Sequence, residues 1–323
     1  MMSEFAAQQQ EPVTGEAGRD REVDRILTDE LARSDRALRG VTPVLTHLLA
    51  GTEQTLVSDA IVARLRGMLS SLARQLLAAG SGTRQPVEDR RKVDLLSDRL
   101  AGDSAVLSYC YSLAMEAQMI ERLEQRASVD PVLSPLMQEL IASESPAIAE
   151  LAMATLAAQS RFVQSQRRMD LTLAELPAEC LHAVLKRWED IGQGDASAPT
   201  AISALKSGYD EGSSRVGLLA RLVSGMRGGA VAALEIEHAG LSLFVTALAA
   251  LSGQPRDLTV LACHSGQSAR LALTLRAAGL GDAAISRQFD VLGASERLPA
   301  DISLLSPDRA RAMLRSLPSE IGG

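Results

Sequence analysis

Apolar residues recur along most of the chain at intervals of three and four positions, the spacing of one face of an α-helix. The clearest example follows Asp103, where six apolar positions alternate at these spacings: Val106, Cys110, Leu113, Ala117, Ile120 and Leu123. This stripe predicts a helix packed on one side, with Cys110 as a small buried residue. Residues 54–79 also predict a long helix, whereas residues 257–263 fit a short strand as well as a helical turn.

Two stretches share one pattern of helix initiation, SPLMQEL at 134–140 and SPAIAEL at 145–151. Each places a serine where its side chain can accept a hydrogen bond from a free backbone N–H of the first turn. Each then places a proline at the first helical position, where no N–H is needed. The repetition predicts two successive helices that begin in the same way.

The distribution of polar residues predicts a division of the chain into a tail, two helical domains and a linker between them. Residues 1–20 are polar without a sustained period, which predicts a disordered tail. Residues 21–190 predict a helical domain, and 191-IGQGDASAPT-200 has the composition of a linker. Residues 201–323 then predict a C-terminal helical domain.

Aromatic residues make up only 2% of the chain, so a core has to be built from aliphatic side chains. Leucine and alanine favour helices, whereas strands favour aromatic and β-branched residues. We therefore expect an all-α fold, with a helical N-terminal region followed by stacked pairs of helices.

The run 240-GLSLFVTALAALSGQPRDLTVLACHSGQSARLALTLRAAGL-280 resembles an alphaproteobacterial family of unknown function with HEAT-like helical repeats. The shared features are Leu243 and Phe244 before ALAALSG, a turn at Pro255, a second helix with Leu271 and Leu275, and the closing AAGL. The resemblance implies HEAT-like stacked helices and no known activity. It therefore assigns no catalytic residue.

The net charge, the apolar runs and the cysteines indicate which partners and which cellular location to expect. The formal net charge is −7, which disfavours nucleic acid, since that affinity comes largely from lysine and arginine on phosphates. We find neither an N-terminal signal peptide nor an uncharged apolar run long enough to span a membrane. Three separated cysteines cannot all pair, so we expect a cytoplasmic protein with reduced thiols.

Adjacent Cys263, His264 and Ser265 bring together residue types that serve in catalysis. Neighbours in sequence point in different directions, however, whereas a catalytic triad needs convergent side chains. The local pattern predicts a helix start instead, with Ser265 as N-cap. Gly279 is then expected to end that helix in a left-handed conformation, with Leu280 packing back onto it.

No motif of an enzyme or a metal site is complete. Glu235 and His238 lie one helical turn apart, but no further cluster of ligands is near them in sequence, and a position at a helix C-terminus explains them. The glycines of 225-GMRGGA-230 lack the Lys-Ser/Thr of a phosphate loop. We therefore expect a non-enzymatic protein without metal or cofactor.

The alternative function depends on His47. The stretch 45-LTHLLAGTEQTL-56 is similar to the His-x-Leu-Lys-Gly box of phosphotransfer four-helix bundles, in which an exposed histidine on a long helix receives a phosphoryl group. Ala50 stands at the position of the lysine, so one positive charge near the phosphoryl group is missing. The alternative prediction is a phosphotransfer-type signalling protein.

The segment 161-RFVQSQRRMDLTLAELP-177 contains the candidate binding residues Arg161, Arg167 and Arg168, next to Phe162. Arginine clusters bind carboxylates and phosphates and are enriched at protein interfaces. We expect this patch to form part of a surface that docks a partner helix or peptide. The main prediction is thus a cytoplasmic protein-interaction module with a scaffold or regulatory role.

Self-association is a further expectation. The stripe from Val106 to Leu123 and the helix predicted over 54–79 could pack against a second copy as a bundle of helices.

Overall fold

The computed structural model describes residues 16–50, 58–81, 89–191 and 198–316. These residues form fourteen α-helices and six short 3-10 segments, with no strand among them. The α-helices are α1 (Glu16–Ala50), α2 (Asp59–Ser81), α3 (Arg90–Ala101), α4 (Ser104–Ala127), α5 (Pro135–Ile141), α6 (Pro146–Arg167), α7 (Ala178–Ile191), α8 (Ala198–Ser207), α9 (Arg215–Met226), α10 (Ile236–Ser252), α11 (Arg256–Ala262), α12 (Ser268–Ala277), α13 (Asp282–Leu292) and α14 (Pro307–Arg315). The all-α prediction is confirmed, and α11 replaces the strand alternative at residues 257–263.

Helix α4 lies at the centre of the fold. Its predicted stripe is buried throughout, and the helix contacts α2, α3 and α7 as well as α10 and α11. Asp103 caps its first turn by accepting a hydrogen bond from the Val106 N–H at 3.3 Å. Because α4 faces helices from both halves of the sequence, its side chains can reach groups that are far apart along the chain.

Helix α10 is the second central element. Residues 239–249 are buried without interruption, and the helix contacts α4, α5, α9, α11 and α12. Gly240 interrupts its first turn with a φ of 71°, a conformation that glycine adopts without the steric cost of a side chain. This kink lets the buried run 241–249 leave the preceding turn at a new angle.

The two Ser-Pro stretches begin helices as predicted, at α5 and α6. Ser134 is the N-cap of α5, and its side chain accepts a hydrogen bond from the Met137 N–H at 3.3 Å. Ser145 occupies the N-cap of α6, but its side chain makes no capping hydrogen bond. Proline follows at the first helical position in both.

Helix α1 connects the beginning of the chain to its end. It contacts α2 and α3 as well as α12. Buried Asp35 pairs with buried Arg270 of α12, and the Gln267 Nε2 donates to the Ser34 carbonyl oxygen at 3.2 Å. Asp24 pairs with Arg309 of α14. These contacts hold the first described helix against the last ones.

The predicted domain limits fall close to helix ends. Helix α1 already begins at Glu16, inside the predicted tail, and residues 1–15 lie outside the described residues. Helix α7 ends at Ile191 and α8 begins at Ala198, with 192–197 also outside the description. Buried residues on both sides of that segment belong to one continuous apolar cluster. The division into two domains, and the stacking of HEAT-like pairs, stay predictions.

One described helical stretch, Arg215–Leu234, is long and apolar enough to cross a membrane. Helices α10 and α11 pass the same test only as a pair, and they are bent by 115° against each other. Within the stretch, Leu218, Leu219 and Leu222 are buried in the protein core. This packing is compatible with a core helix of a soluble protein.

Candidate functional site

The most strongly charged feature of the interior is centred on Glu116 of α4. Its side chain is 0% exposed, and both carboxylate oxygens accept hydrogen bonds from Arg215, at 2.8 Å each. Arg256 also donates to both oxygens, at 2.8 and 3.0 Å, and the Ser242 hydroxyl donates to Oε1 at 2.8 Å. We refer to Glu116, Arg215 and Arg256 as the ion triad.

Arg215 makes several contacts in addition to its ion pair with Glu116. It is the first residue of α9, and its backbone N–H donates to the Glu175 Oε2 at 2.8 Å. Its guanidinium carbon lies 3.6 Å from the centre of the Phe162 ring, a cation–π contact with α6. Its Nη1 also donates to the Gln159 Oε1 at 3.2 Å. With 2% of the side chain exposed, Arg215 connects α4, α6 and α9 from inside.

Arg256 completes the triad from the first turn of α11. Its Nε donates to the Thr246 hydroxyl of α10 at 3.0 Å while its two terminal nitrogens bind Glu116. Its side chain is 16% exposed, so this end of the triad approaches the surface.

The triad is unsuited to acid–base chemistry. Burial by itself raises the pKa of the Glu116 carboxyl, but the charges and hydrogen bonds of Arg215 and Arg256 outweigh it and hold that pKa well below its usual range. Glu116 therefore stays ionised at neutral pH, and arginine does not release its proton in proteins. A general acid or base needs a pKa near the working pH. The triad is accordingly a structural element that fixes α4, α9, α10 and α11 relative to one another.

Two of the three predicted binding arginines lie together at a cavity of about 150 Å³ beside the triad. Arg161 and Arg168 line it from α6 and its C-cap, with Phe162 between them in sequence. The other walls include Tyr109, Leu113, Phe162, Leu171, Glu175 and Arg215. We call this the α6 cavity. Its walls are largely apolar, and its two exposed charged side chains, Arg161 and Arg168, are cationic.

Arg167 is exposed but does not line the α6 cavity. Arg161 and Arg168 are seven residues apart, or close to two helical turns, so they share one side of α6. Arg167 lies about 100° away around the helix axis. The predicted patch therefore separates into a pair at the cavity and a third arginine on another side.

The end of α6 is fixed by its C-terminal motif. The Asp170 N–H donates to the Ser165 carbonyl at 2.8 Å, and the Met169 N–H donates to the Gln166 carbonyl at 3.1 Å, as in a Schellman motif. Met169 takes the left-handed conformation, with a φ of 58°. A Cβ added at Gly67 of α2 would lie 2.6 Å from the Met169 carbonyl oxygen, so α2 meets this turn at very short range. This packing positions Arg168.

The charges at the cavity mouth differ in their partners. Arg161 forms no hydrogen bond or ion pair with any residue that the structure describes. The Arg168 Nε lies 3.5 Å from the Asp170 Oδ2, and the Arg168 side chain is 65% exposed. At least one positive charge at the mouth is thus available to a binding partner.

The segment that suggested a catalytic cysteine is a junction between helices. Cys263 is buried as the C-cap of α11, and burial raises the pKa of its thiol to about 12. Cys180 is also buried with a pKa of about 12, and burial raises the pKa of Cys110. Reactive cysteines need the opposite shift, because the thiolate is the nucleophile.

The prediction that Ser265 caps the next helix is wrong. Helix α12 begins at Ser268, and Ser265 opens a 3-10 turn whose N-cap is His264. The His264 Nδ1 accepts from the Gly266 N–H at 3.3 Å and so takes the role assigned to the serine. Burial, followed by the charges of Arg122 and Arg297, lowers the pKa of His264, consistent with an imidazole that accepts. The predicted end of α12 is confirmed by Gly279 at φ 97° and by the Leu280 N–H, which donates to the Leu275 carbonyl.

Glu235 is the N-cap of α10, so its expected position at a helix C-terminus is wrong. His238 lies in the single turn 236–239, which ends at the non-helical Gly240, so for His238 a break in the helix does follow as expected. The His238 Nε2 lies 3.4 Å from the Glu139 Oε2. Among the described residues, no three histidine, cysteine or carboxylate side chains are grouped as metal ligands.

His47 belongs to α1, but its side chain lies outside the described residues. The phosphotransfer alternative stays a prediction.

Comparisons with family models, with curated proteins and with solved structures give no match. The resemblance of residues 240–280 to a HEAT-like family therefore stays a prediction as well. What defines this chain is an all-α fold with a buried ion triad and an arginine-lined cavity.

Sequence reasoning missed the ion triad, although one signal was present. Glu116 is the only charged residue between Ser104 and Ile120, the otherwise uncharged first part of α4. A charge in such a position needs a buried partner. The partners follow 99 and 140 residues later, so local spacing does not identify them.

Proposed function

We propose that this chain is a non-enzymatic protein-interaction module, which docks an acidic segment of a partner protein at the α6 cavity. The observation that carries the proposal is the pair Arg161 and Arg168 at the mouth of a small cavity with largely apolar walls. An apolar cavity of this volume accommodates a group the size of benzene. One aliphatic or aromatic side chain of the partner would fill it as an anchor.

Charge favours an acidic partner. Arginine binds carboxylates with two parallel hydrogen bonds, and Arg161 has no partner among the described residues. Arg215 at the cavity wall adds no free charge, because Glu116 binds it with both oxygens. Recognition is thus assigned to the two exposed arginines, and the apolar walls supply the anchor contact.

The spacing of the arginines specifies the partner further. Seven helical residues span about 10 Å along the axis of α6. An extended peptide rises about 3.3 Å per residue, so acidic residues three positions apart match this span. The expected motif is an apolar residue between two carboxylates at that spacing.

The cellular setting belongs to the same proposal. All three cysteines are buried free thiols, which suits the reducing cytoplasm.

The test is a titration of the full chain with a labelled peptide that carries a leucine between two glutamates three positions apart. Fluorescence anisotropy should show saturable binding, lost when both glutamates become glutamine or when the leucine becomes serine. The change Arg161→Glu with Arg168→Glu should weaken binding at least about tenfold, since two attractions become repulsions. Arg167→Glu is the control outside the cavity, and it makes the same charge change as each of the two reversals measured singly.

Two outcomes would contradict the proposal. One is the absence of saturable binding to the intact chain. The other is an equal loss of binding in Arg167→Glu and in the double reversal. That result would mean that the net charge of the protein, and not the position of the arginines at the cavity, determines binding.

A further inference from the structure

A second cavity lies at the opposite end of α4 and is about four times larger, at about 630 Å³. Its walls come from the last turns of α4, the end of α13 and the 3-10 turn Ser295–Arg297. Met119, Leu123, Val291 and Leu292 give it apolar surface, and the buried Cys263 also lines it. We call it the α4–α13 cavity. Its volume is in the range of small-molecule sites.

Two arginines line this cavity from one side of α4. Arg122 and Arg126 are four residues apart, so they lie one above the other on the helix surface. Like charges at this spacing repel each other. Neither arginine forms a hydrogen bond or an ion pair with a residue in the described part of the chain. Within those ranges, no ion pair therefore neutralises either charge.

The guanidinium group of Arg126 lies close to the backbone at the end of α13. Gly293 follows α13 in the left-handed conformation, with a φ of 68°. A Cβ at this position would lie 2.5 Å from both terminal nitrogens of Arg126. The backbone conformation favours glycine at this position, and the guanidinium of the exposed Arg126 lies in the space that a Cβ would occupy. The Arg126 charge thus lies beside the end of α13 at the cavity.

The remaining charges leave the cavity net positive. Arg297 lines it from the far wall, together with the carboxylates Asp290 and Glu296. Asp290 already accepts a hydrogen bond from the Ser295 hydroxyl at 2.5 Å. Three arginines thus face two carboxylates, in a chain whose formal net charge is −7. The nearby His264 adds no charge when its imidazole is neutral, and burial, followed by the positive charges of Arg122 and Arg297, lowers its pKa and so favours that form.

We propose that the α4–α13 cavity binds a small organic anion. Arg122 and Arg126 bind its phosphate or carboxylate group, and its apolar body lies against Met119, Leu123 and Leu292. Anion binding removes the repulsion between the two arginines, which accounts for their placement. This site is separate from the α6 cavity and does not depend on the proposed docking function.

Isothermal titration of the full chain with hexyl phosphate and with hexanoate tests the proposal. At least one of them should bind saturably, and the stronger one identifies the anionic group. Hexanol, which lacks the charge, and inorganic phosphate, which lacks the apolar body, should each bind at least about tenfold more weakly.

The variant Arg122→Gln with Arg126→Gln should lower the affinity for the bound anion at least about tenfold, because both charged donors are removed. Both side chains are exposed, so the variant is expected to fold, and its circular dichroism and melting temperature verify this. Arg90→Gln with Arg91→Gln is the matched control, a neighbouring pair on exposed positions of α3. The proposal is overturned if neither hexyl compound binds, if hexanol binds as tightly, if inorganic phosphate does, or if both double variants bind alike.

Discussion

The arginines of the triad and those of the α6 cavity lie within one small region but have opposite surroundings. Arg215 and Arg256 bind a fully buried carboxylate with four hydrogen bonds between them. Arg161 and Arg168 are exposed, and of these two only Arg168 forms an ion pair with a described residue. The same side chain thus stabilises the fold where its charge is neutralised internally and is available for recognition where it is not.

The comparison also explains why Phe162 lies between the two groups. Its ring contacts the Arg215 guanidinium and it lines the α6 cavity. The buried triad therefore fixes a wall of the site in which the exposed pair is proposed to act. Changes to the triad should reduce stability, whereas changes to the exposed pair should affect binding alone.

The largest expected effect comes from Glu116→Gln. It leaves the buried Arg215 and the partly buried Arg256 without their shared counter-charge, and breaking a buried ion pair in this way costs about 3–5 kcal/mol. Urea unfolding measures the loss. Glu124→Gln, an exposed change on the same helix, is the control and should lie within about 0.5 kcal/mol of the unchanged protein. A loss below about 1 kcal/mol for Glu116→Gln, within the effect of an ordinary hydrogen bond, would contradict the role of the triad.

The same carboxylate predicts a dependence on pH. The folded-state pKa of Glu116 lies below its unfolded value of about 4.3, so its stabilisation is complete above that pH and decreases as the pH falls further. The stability difference between the unchanged protein and Glu116→Gln should therefore be constant from about pH 7 to pH 5 and narrow below about pH 4. Unfolding curves at several pH values measure this difference. A difference that already narrows near neutral pH would mean that Glu116 is not held ionised.

Gly67→Ala should have a smaller effect on stability together with an effect on the site. Its Cβ would meet the Met169 Cβ at 2.5 Å and the Met169 carbonyl oxygen at 2.6 Å, so the turn that carries Arg168 has to move. Overpacking of this kind costs about 1–3 kcal/mol. Thermal unfolding and the peptide titration measure the two consequences.

Gly40→Ala is the control for that change. Gly40 is an exposed glycine in α1, and an added Cβ would have no neighbour within 4 Å. Alanine should be neutral or stabilise α1 by up to about 1 kcal/mol, because it favours the helix. If Gly67→Ala behaved like Gly40→Ala, the close approach of α2 to the end of α6 would be refuted.

The smallest expected effect on stability is that of Arg161→Gln with Arg168→Gln. Both residues are exposed, so the free energy of unfolding should change by no more than about 0.5 kcal/mol. Peptide affinity should nevertheless fall several-fold, since the charged donors are lost. A large loss of stability would mean that Arg161 and Arg168 stabilise the fold, as Arg215 and Arg256 do. The proposed difference between the two groups of arginines would then be refuted.

The spacing of residues within a few helical turns correctly predicted those structural features that depend only on residues close together in sequence. The buried stripe of α4, the serine cap of α5 and the left-handed Gly279 all follow from spacings within a few turns. The N-cap was wrongly assigned to Ser265, because the ring nitrogen of His264 acts as the cap where a serine hydroxyl was expected.

Sequence patterns predicted the arginines of the candidate site but not its cavity. The arginine cluster was found as a run of like residues, and the period of 3.6 residues per turn could already have separated Arg167 from the other two. The cavity itself requires Tyr109 and Leu113 from α4 and Leu171 from the segment after α6. The Leu171 carbonyl oxygen is fixed by Gln75 at 2.7 Å and by Ser71 at 3.2 Å, contacts that span about a hundred residues of sequence. Periodicity carries no information about which distant helices meet.

The central claim is that Arg161 contacts a carboxylate of the partner, and a double-mutant cycle tests it most directly. Affinities are measured for the unchanged protein and Arg161→Gln, each with the diglutamate peptide and with peptides in which one glutamate is glutamine. One glutamate should show a coupling to Arg161 of about threefold or more, and the same cycle on Arg167 should show none. Independent effects at Arg161 for both glutamates would contradict the docking of an acidic segment at the α6 cavity.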